Sequence, residues 1–217
     1  MAIESSSGHW IHRHLLALRF ALFNIVAVGL LAAIYLQGWL DGALEGYTAW
    51  LTLGICAVFV FGLLLCAVRI WRTNYELNAV SQRAPPDRSR AGRYLASITG
   101  RSAESRTICA GVLRNRFGNQ IVVVRQTADS LVFLGLVGTV IGFIVALSGV
   151  DPQASSDVDS VASMVGTLIT GMSIALYTTL VGAVLHVWLM VNHRLLATGT
   201  SNLFNAIVEL GEQRVGV

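Results

Sequence analysis

SVASMVGTLITGMSIALYTTLVGAVLHVWLMVNH, residues 160–193, contains no Asp, Glu, Lys or Arg. As one helix rising 1.5 Å per residue it would measure about 50 Å, well beyond the roughly 30 Å of hydrocarbon in a bilayer. It is expected to cross the membrane and project past it. Working outward, Phe20–Leu40, Gly46–Val68 and Ser130–Val150 are uncharged as well, and each reaches the roughly 20 residues that a spanning helix needs. The whole chain of 217 residues is 54% hydrophobic and 12% charged, where a soluble domain is about a quarter charged. A water-soluble monomer is excluded, and the expected class is all-α, a polytopic membrane protein with four transmembrane helices.

All fifteen cationic side chains are arginine. Without lysine, Schiff-base chemistry and the lysine of a phosphate-binding loop are closed off. Arg13 and Arg19 precede the first span, eleven arginines from Arg69 to Arg125 lie between the second and third, and Arg194 and Arg214 follow the fourth. The loops Asp41–Glu45 and Asp151–Asp159 have none. By the positive-inside rule both termini and the middle segment are cytoplasmic, and the two acidic loops face outward. Arginines so close to a bilayer point to anionic lipid and topology rather than to nucleic acid.

The expected organisation is a cytoplasmic N-terminal tail over 1–19, spans one and two within 20–70, and an Arg-rich cytoplasmic helical loop over 71–129. Spans three and four follow within 130–193, and a cytoplasmic C-terminal helix over 194–217. A cleaved signal peptide fits poorly, because the first apolar run is too long for a signal core and a second span follows closely. Pro85-Pro86 divides the loop: Trp71–Val80 should continue span two as helix, and the arginine-rich run beyond can form one or two short amphipathic helices. Leu203, Ile207 and Leu210 stand at helical spacing, as a helix continuing span four requires. Cys56, Cys66 and Cys109 form no disulfide or metal pattern and read as small apolar packers. His9, His12 and His14 lack companion ligands, and no metal or cofactor is expected.

Spans three and four hold the candidate site. Leu134-Gly-Leu-Val-Gly138-Thr139-Val-Ile-Gly142 sets Gly138 and Gly142 four apart, and Gly135 four before Thr139. Such spacing lets two helix backbones approach closely in lipid. On span four Ser163, Thr167, Thr170, Gly171, Thr178 and Gly182 fall within about 120° at 100° per residue, flanked by Thr179 and His186. A stripe of hydroxyls and glycines marks either a helix contact or the wall of a wet pathway. No carboxylate lies within the four runs. The nearest, Asp129, is expected to cap span three at its cytoplasmic end. His186 is either a neutral hydrogen-bonded side chain or a titrating one.

The Leu134–Gly142 phrase, followed by Ala175-Leu-Tyr-Thr-Thr179-Leu-Val-Gly182, resembles the paired signature of the MotA/TolQ/ExbB proton-channel family, over roughly 126–212. The resemblance implies an inner-membrane stator or energiser that couples an ion-motive force to mechanical work. It would be a homo-oligomer, a pentamer, ringing single-span partners of the MotB/TolR/ExbD type whose aspartate carries the proton. Thr139 and Thr179 fall at the positions that face that aspartate, with Thr178, Thr167 and Thr170 along the same proposed pathway and Gly135, Gly138, Gly142, Gly171 and Gly182 packing the helices. Ile174 stands where many TolQ and ExbB relatives carry a glutamate. The loop is also shorter than that of flagellar stators. An intramembrane enzyme is not expected, since the spans carry no His-Glu-xx-His pair, serine–histidine arrangement or paired aspartates. The competing reading is a non-conducting tetraspan scaffold in which glycines and hydroxyls only pack helices.

Overall fold

The computed structural model describes residues 6–36, 49–81, 86, 89–100, 102–150 and 158–215. Loops 41–45 and 151–157 and the side chains of His9, His12 and His14 lie outside the described residues. All regular structure among them is helical: α1 Ser6–Leu36, α2 Ala49–Ser81, α3 Arg90–Ile98, α4 Ala103–Ser148 and α5 Val158–Val215. Three helices are long and apolar enough to cross a membrane, in α2 (Trp50–Val80), α4 (Glu104–Ser148) and α5 (Val161–Arg214). The expected first span is described only as far as Leu36, and its apolar stretch Ala17–Ala33 is shorter.

Helix α5, of 58 residues, is about 87 Å long at 1.5 Å per residue, well over the roughly 30 Å of hydrocarbon in a bilayer. Trp71–Val80 continues α2, as the sequence indicates. The run after the prolines yields one short helix, α3, within the one or two expected. Everything from Ala103 onward belongs to α4, which has 46 residues, and this corrects the place of Asp129. Asp129 therefore stands inside a continuous helix and cannot cap an N-terminus. The cause is a stripe of Leu113, Phe117, Val124, Ala128 and Leu131, all buried. Its spacing keeps one apolar face turned inward across the charged region.

The chain forms two compact units. The first comprises Met1–Val26, Leu63–Arg125 and Val191–Val217. Its core joins Tyr94, Leu95 and Ile98 of α3 to Phe117 of α4 and to Leu203, Ile207 and Leu210 of α5. The expected C-terminal amphipathic helix thus packs on its own chain's loop segment. Ser89 starts α3 by accepting a hydrogen bond from the Gly92 amide at 2.9 Å. Gly100, at φ 72°, ends the turn after it, a conformation that costs glycine little. Arg106 pairs with Glu212 at 3.1 Å and Arg90 with Glu76 at 3.6 Å. Burial raises the Tyr94 phenol above its ordinary pKa; Glu212 adds to that shift and Arg106 opposes it.

A partly buried polar contact in the same unit ties three helices together. Asn24 of α1 donates to the Asn192 side-chain oxygen at 2.9 Å, and Asn192 of α5 donates back at 3.3 Å. Asn192 is fully buried, and the Cys66 thiol of α2 donates to its carbonyl at 3.5 Å. Cys66 is thus a buried packer as read from the sequence, while Cys56 is exposed and Cys109 half-buried.

The second unit comprises Ala27–Gly62 and Gln126–Met190. Its buried side chains include Ile55 and Phe59 of α2, Leu131 of α4, and Leu185, Trp188 and Leu189 of α5. The Phe59 and Trp188 rings meet at 5.0 Å, tilted by 57°. Leu136, Phe143, Ile144 and Leu147 on α4, and Ile169, Leu176 and Leu180 on α5, are all exposed. Apolar surface on that scale suits lipid or a neighbouring subunit and not water.

Candidate functional site: the glycine-threonine seam of α4 and α5

Helices α4 and α5 run antiparallel within the second unit, and small residues set their separation. A Cβ built on Gly182 would lie 2.8 Å from the Leu131 carbonyl oxygen, and one on Gly135 would lie 3.2 Å from that of Thr178. Gly138 faces the Thr178 side chain, and Gly142 faces the backbone of Gly171 and Ala175 at 2.6 Å. Gly171 in turn meets the backbone of Ala146, and Gly149 meets Thr167 Cβ at 2.5 Å. All five glycines read from the sequence as packing positions lie in this seam. Ala146, Gly149 and Ala175 extend it. The sequence reading did not single them out, although Gly142-to-Ala146 and Gly171-to-Ala175 repeat the same four-residue small spacing.

The seam sorts the hydroxyls into three groups. Thr178 is buried against Gly138, and its hydroxyl donates to the carbonyls of Ile174 and Ala175 at 3.0 and 3.2 Å. Thr167 fills the space over Gly149 and bonds the Ser163 carbonyl at 3.2 Å. Thr170 is exposed and bonds its own turn at Gly166, 2.9 Å away. At 100° per residue it stands about 180° around α5 from Thr179. One acidic group approaching from a single side cannot meet both.

Thr139 and Thr179 share one edge of the pair, a turn apart along it. The Thr179 hydroxyl lies 3.1 Å from the Ala175 carbonyl and 3.4 Å from that of Gly135 across the seam. Gly135 is one turn before Thr139, whose hydroxyl donates to Leu136 at 2.6 Å. On antiparallel helices, rotation in the same sense from the contact line carries both threonines to the same edge of the pair. Thr139 is half-buried and Thr179 exposed, so this edge is lined by alcohols within reach of another molecule. The flanking side chains Leu136, Val140, Leu176 and Leu180 are apolar and exposed. The edge can therefore offer hydrogen bonds to an acid in a setting that carries no charge of its own.

His186 lies on that edge two turns further along α5. Its Nδ1 is 2.8 Å from the Ala128 carbonyl oxygen, which can only accept, so Nδ1 carries the proton and ties α5 to α4. A side chain whose work is this tie tolerates an amide. His186→Gln should leave both the ion flux of the assembled protein and its pH profile unchanged, measured in proteoliposomes across pH 5 to 8. Loss of one limb of the profile would show instead that the ring titrates.

Neither a curated protein nor a solved structure matches the chain. One family model matches residues 107–209. That segment takes in nearly all of α4 and most of α5, including every threonine and glycine of the seam, and starts before the 126 of the sequence resemblance. The model matched by residues 107–209 is that of the MotA/TolQ/ExbB proton channel family, and the match takes in a little less than half of the chain.

Proposed function

We propose that the chain is the ring-forming subunit of a proton-driven stator or energiser in a bacterial inner membrane. In this reading it crosses the bilayer four times with both termini in the cytoplasm. Five copies surround the acidic transmembrane helices of a MotB/TolR/ExbD-like partner and turn ion-motive force into mechanical work. The observation that supports the reading is the contact of Thr179 with the Gly135 carbonyl, one turn from Thr139 on the facing helix, in a helix pair whose uncharged runs contain no carboxylate. Proton carriers in membranes use buried ionisable groups, and here the partner's aspartate is the group that the threonines would receive. A hydroxyl both donates and accepts, so it can hold the acid ionised or neutral. Each charge moved contributes about 2.3 kcal/mol per 100 mV. Protonation would release the partner helix to move against the ring, and deprotonation on the cytoplasmic side would complete the stroke.

The test is reconstitution. Liposomes holding the chain with its single-span partner should carry protons under an imposed potential, and liposomes with the chain alone, or with the partner aspartate changed to asparagine, should not. Efficient dissipation of a pH gradient by this chain alone would overturn the reading. The closeness of the glycine contacts favours one competitor, the non-conducting scaffold. That reading predicts no flux above background even from the complete assembly.

A further inference from the structure

Away from the seam, in the first unit, α3 and α4 line an open cavity of about 690 Å³, within the range of small-ligand sites. Arg90 and Arg93 come to it from α3 and Arg116 from α4, with the amides of Asn119 and Gln120 beside them and Phe117 at the floor. Among the described residues no carboxylate lines it. Arg90 is held in place: its guanidinium lies 5.3 Å from the Phe117 ring centre and 3.6 Å from Glu76. Arg93 and Arg116 are exposed and make no ion pair with any described carboxylate. Glu76, paired with Arg90, lies in the field of Arg93 and Arg72 as well. Arg90, Arg93 and Arg116 line one concave wall as three like charges, and an anion set among them offsets their repulsion.

We infer that the α3–α4 cavity binds a phosphate-bearing anion, gripped by Arg93 and Arg116 and oriented by Arg90, Asn119 and Gln120. The planar guanidinium fork matches phosphate oxygens two at a time, and the side-chain amides can donate to the remaining ones. Arg90 is fixed by Glu76 and Phe117 and loses little freedom on binding, so the site is partly preorganised. The phosphate belongs either to the headgroup of an anionic phospholipid or to a soluble compound. The chemistry of the grip is the same for both.

The experiment uses the purified full-length protein in two arms. In the first, radiolabelled inorganic pyrophosphate is dialysed to equilibrium against protein in phosphatidylcholine nanodiscs. In the second, protein is extracted from vesicles of equimolar phosphatidylglycerol and phosphatidylcholine, and the retained lipid is quantified. Binding of pyrophosphate identifies a soluble phosphate ligand, whereas enrichment of phosphatidylglycerol without pyrophosphate binding identifies a headgroup; both support the site. Arg93→Gln and Arg116→Gln should each weaken the interaction about tenfold, the loss of a charge-assisted hydrogen-bond pair, and the lysine variants should weaken it less. Both arginines are exposed, so these variants keep the fold, which circular dichroism verifies. Arg194→Gln, outside the cavity, should change nothing. Failure to bind either probe, or binding that survives the double glutamine variant, overturns the inference.

Discussion

Gly171→Ala or Gly142→Ala pushes α4 and α5 apart, and the assembled protein is lost from size-exclusion profiles. A Cβ at Gly142 would sit 2.6 Å from the Ala175 nitrogen and the Gly171 oxygen, and a Cβ at Gly171 would sit 2.5 Å from the Gly142 oxygen. Every one of those atoms is backbone, so no rotamer change relieves the overlap and a whole helix must shift. Overpacking of this kind costs about 1–3 kcal/mol or more, a large share of a marginal total. The comparison is Gly54→Ala, whose Cβ meets nothing within 4 Å; it should be neutral or slightly stabilising, since alanine favours helix by about 1 kcal/mol over glycine. Gly62→Ala falls between, because the atom it would press, a Leu189 methyl at 2.6 Å, can swing aside. Equal melting temperatures for Gly171→Ala and Gly54→Ala would contradict the seam.

Thr139→Val and Thr179→Val should abolish most proton flux while assembly stays intact. Valine keeps the shape of threonine and removes only the hydroxyl, so the packing around Gly135 survives. A hydrogen bond to a charged group contributes about 1.5–3 kcal/mol, so each variant should slow turnover by roughly 10- to 100-fold if the hydroxyl meets the partner's carboxylate. Serine at either position, which restores the hydroxyl, should recover much of the flux. The variants are compared in co-reconstituted liposomes with equal amounts of assembled complex. Undiminished flux in both valine variants would remove these threonines from the pathway, whatever the glycine variants do.

Much of this architecture was legible in the sequence, because charge is the strongest signal a membrane protein carries. The run 160–193 announced a helix longer than the bilayer, and α5 is that helix. The arginine-rich half of α4 was harder to read. Arg106, Arg114, Arg116 and Arg125 interrupt the apolar pattern and suggest that span three begins near Ser130. The buried stripe Leu113, Phe117, Val124, Ala128 and Leu131 was present but spaced by three, four and seven residues, a heptad-like signal that a search for uncharged stretches passes over. In the seam the small residues could be named from their spacing. The division of labour among the hydroxyls could not, since it depends on which side of Gly135 and Gly138 the other helix lies. Thr178 turns into the contact and Thr179, one residue on, turns out of it.

The reciprocal amide pair of Asn24 and Asn192 has a consequence for how the first helix finds its seat. Hydrophobic side chains on α1 could slide along α5 in many positions at similar energy. A primary amide set among them meets its counterpart at only one height, where both bonds form. A slip of a single turn would break both of these bonds, each contributing about 0.5–1.5 kcal/mol, while the bond of Asn24 to Phe20 within its own helix would remain. The pair thus acts as a key in a lock that is otherwise smooth, selecting one vertical alignment out of many greasy alternatives.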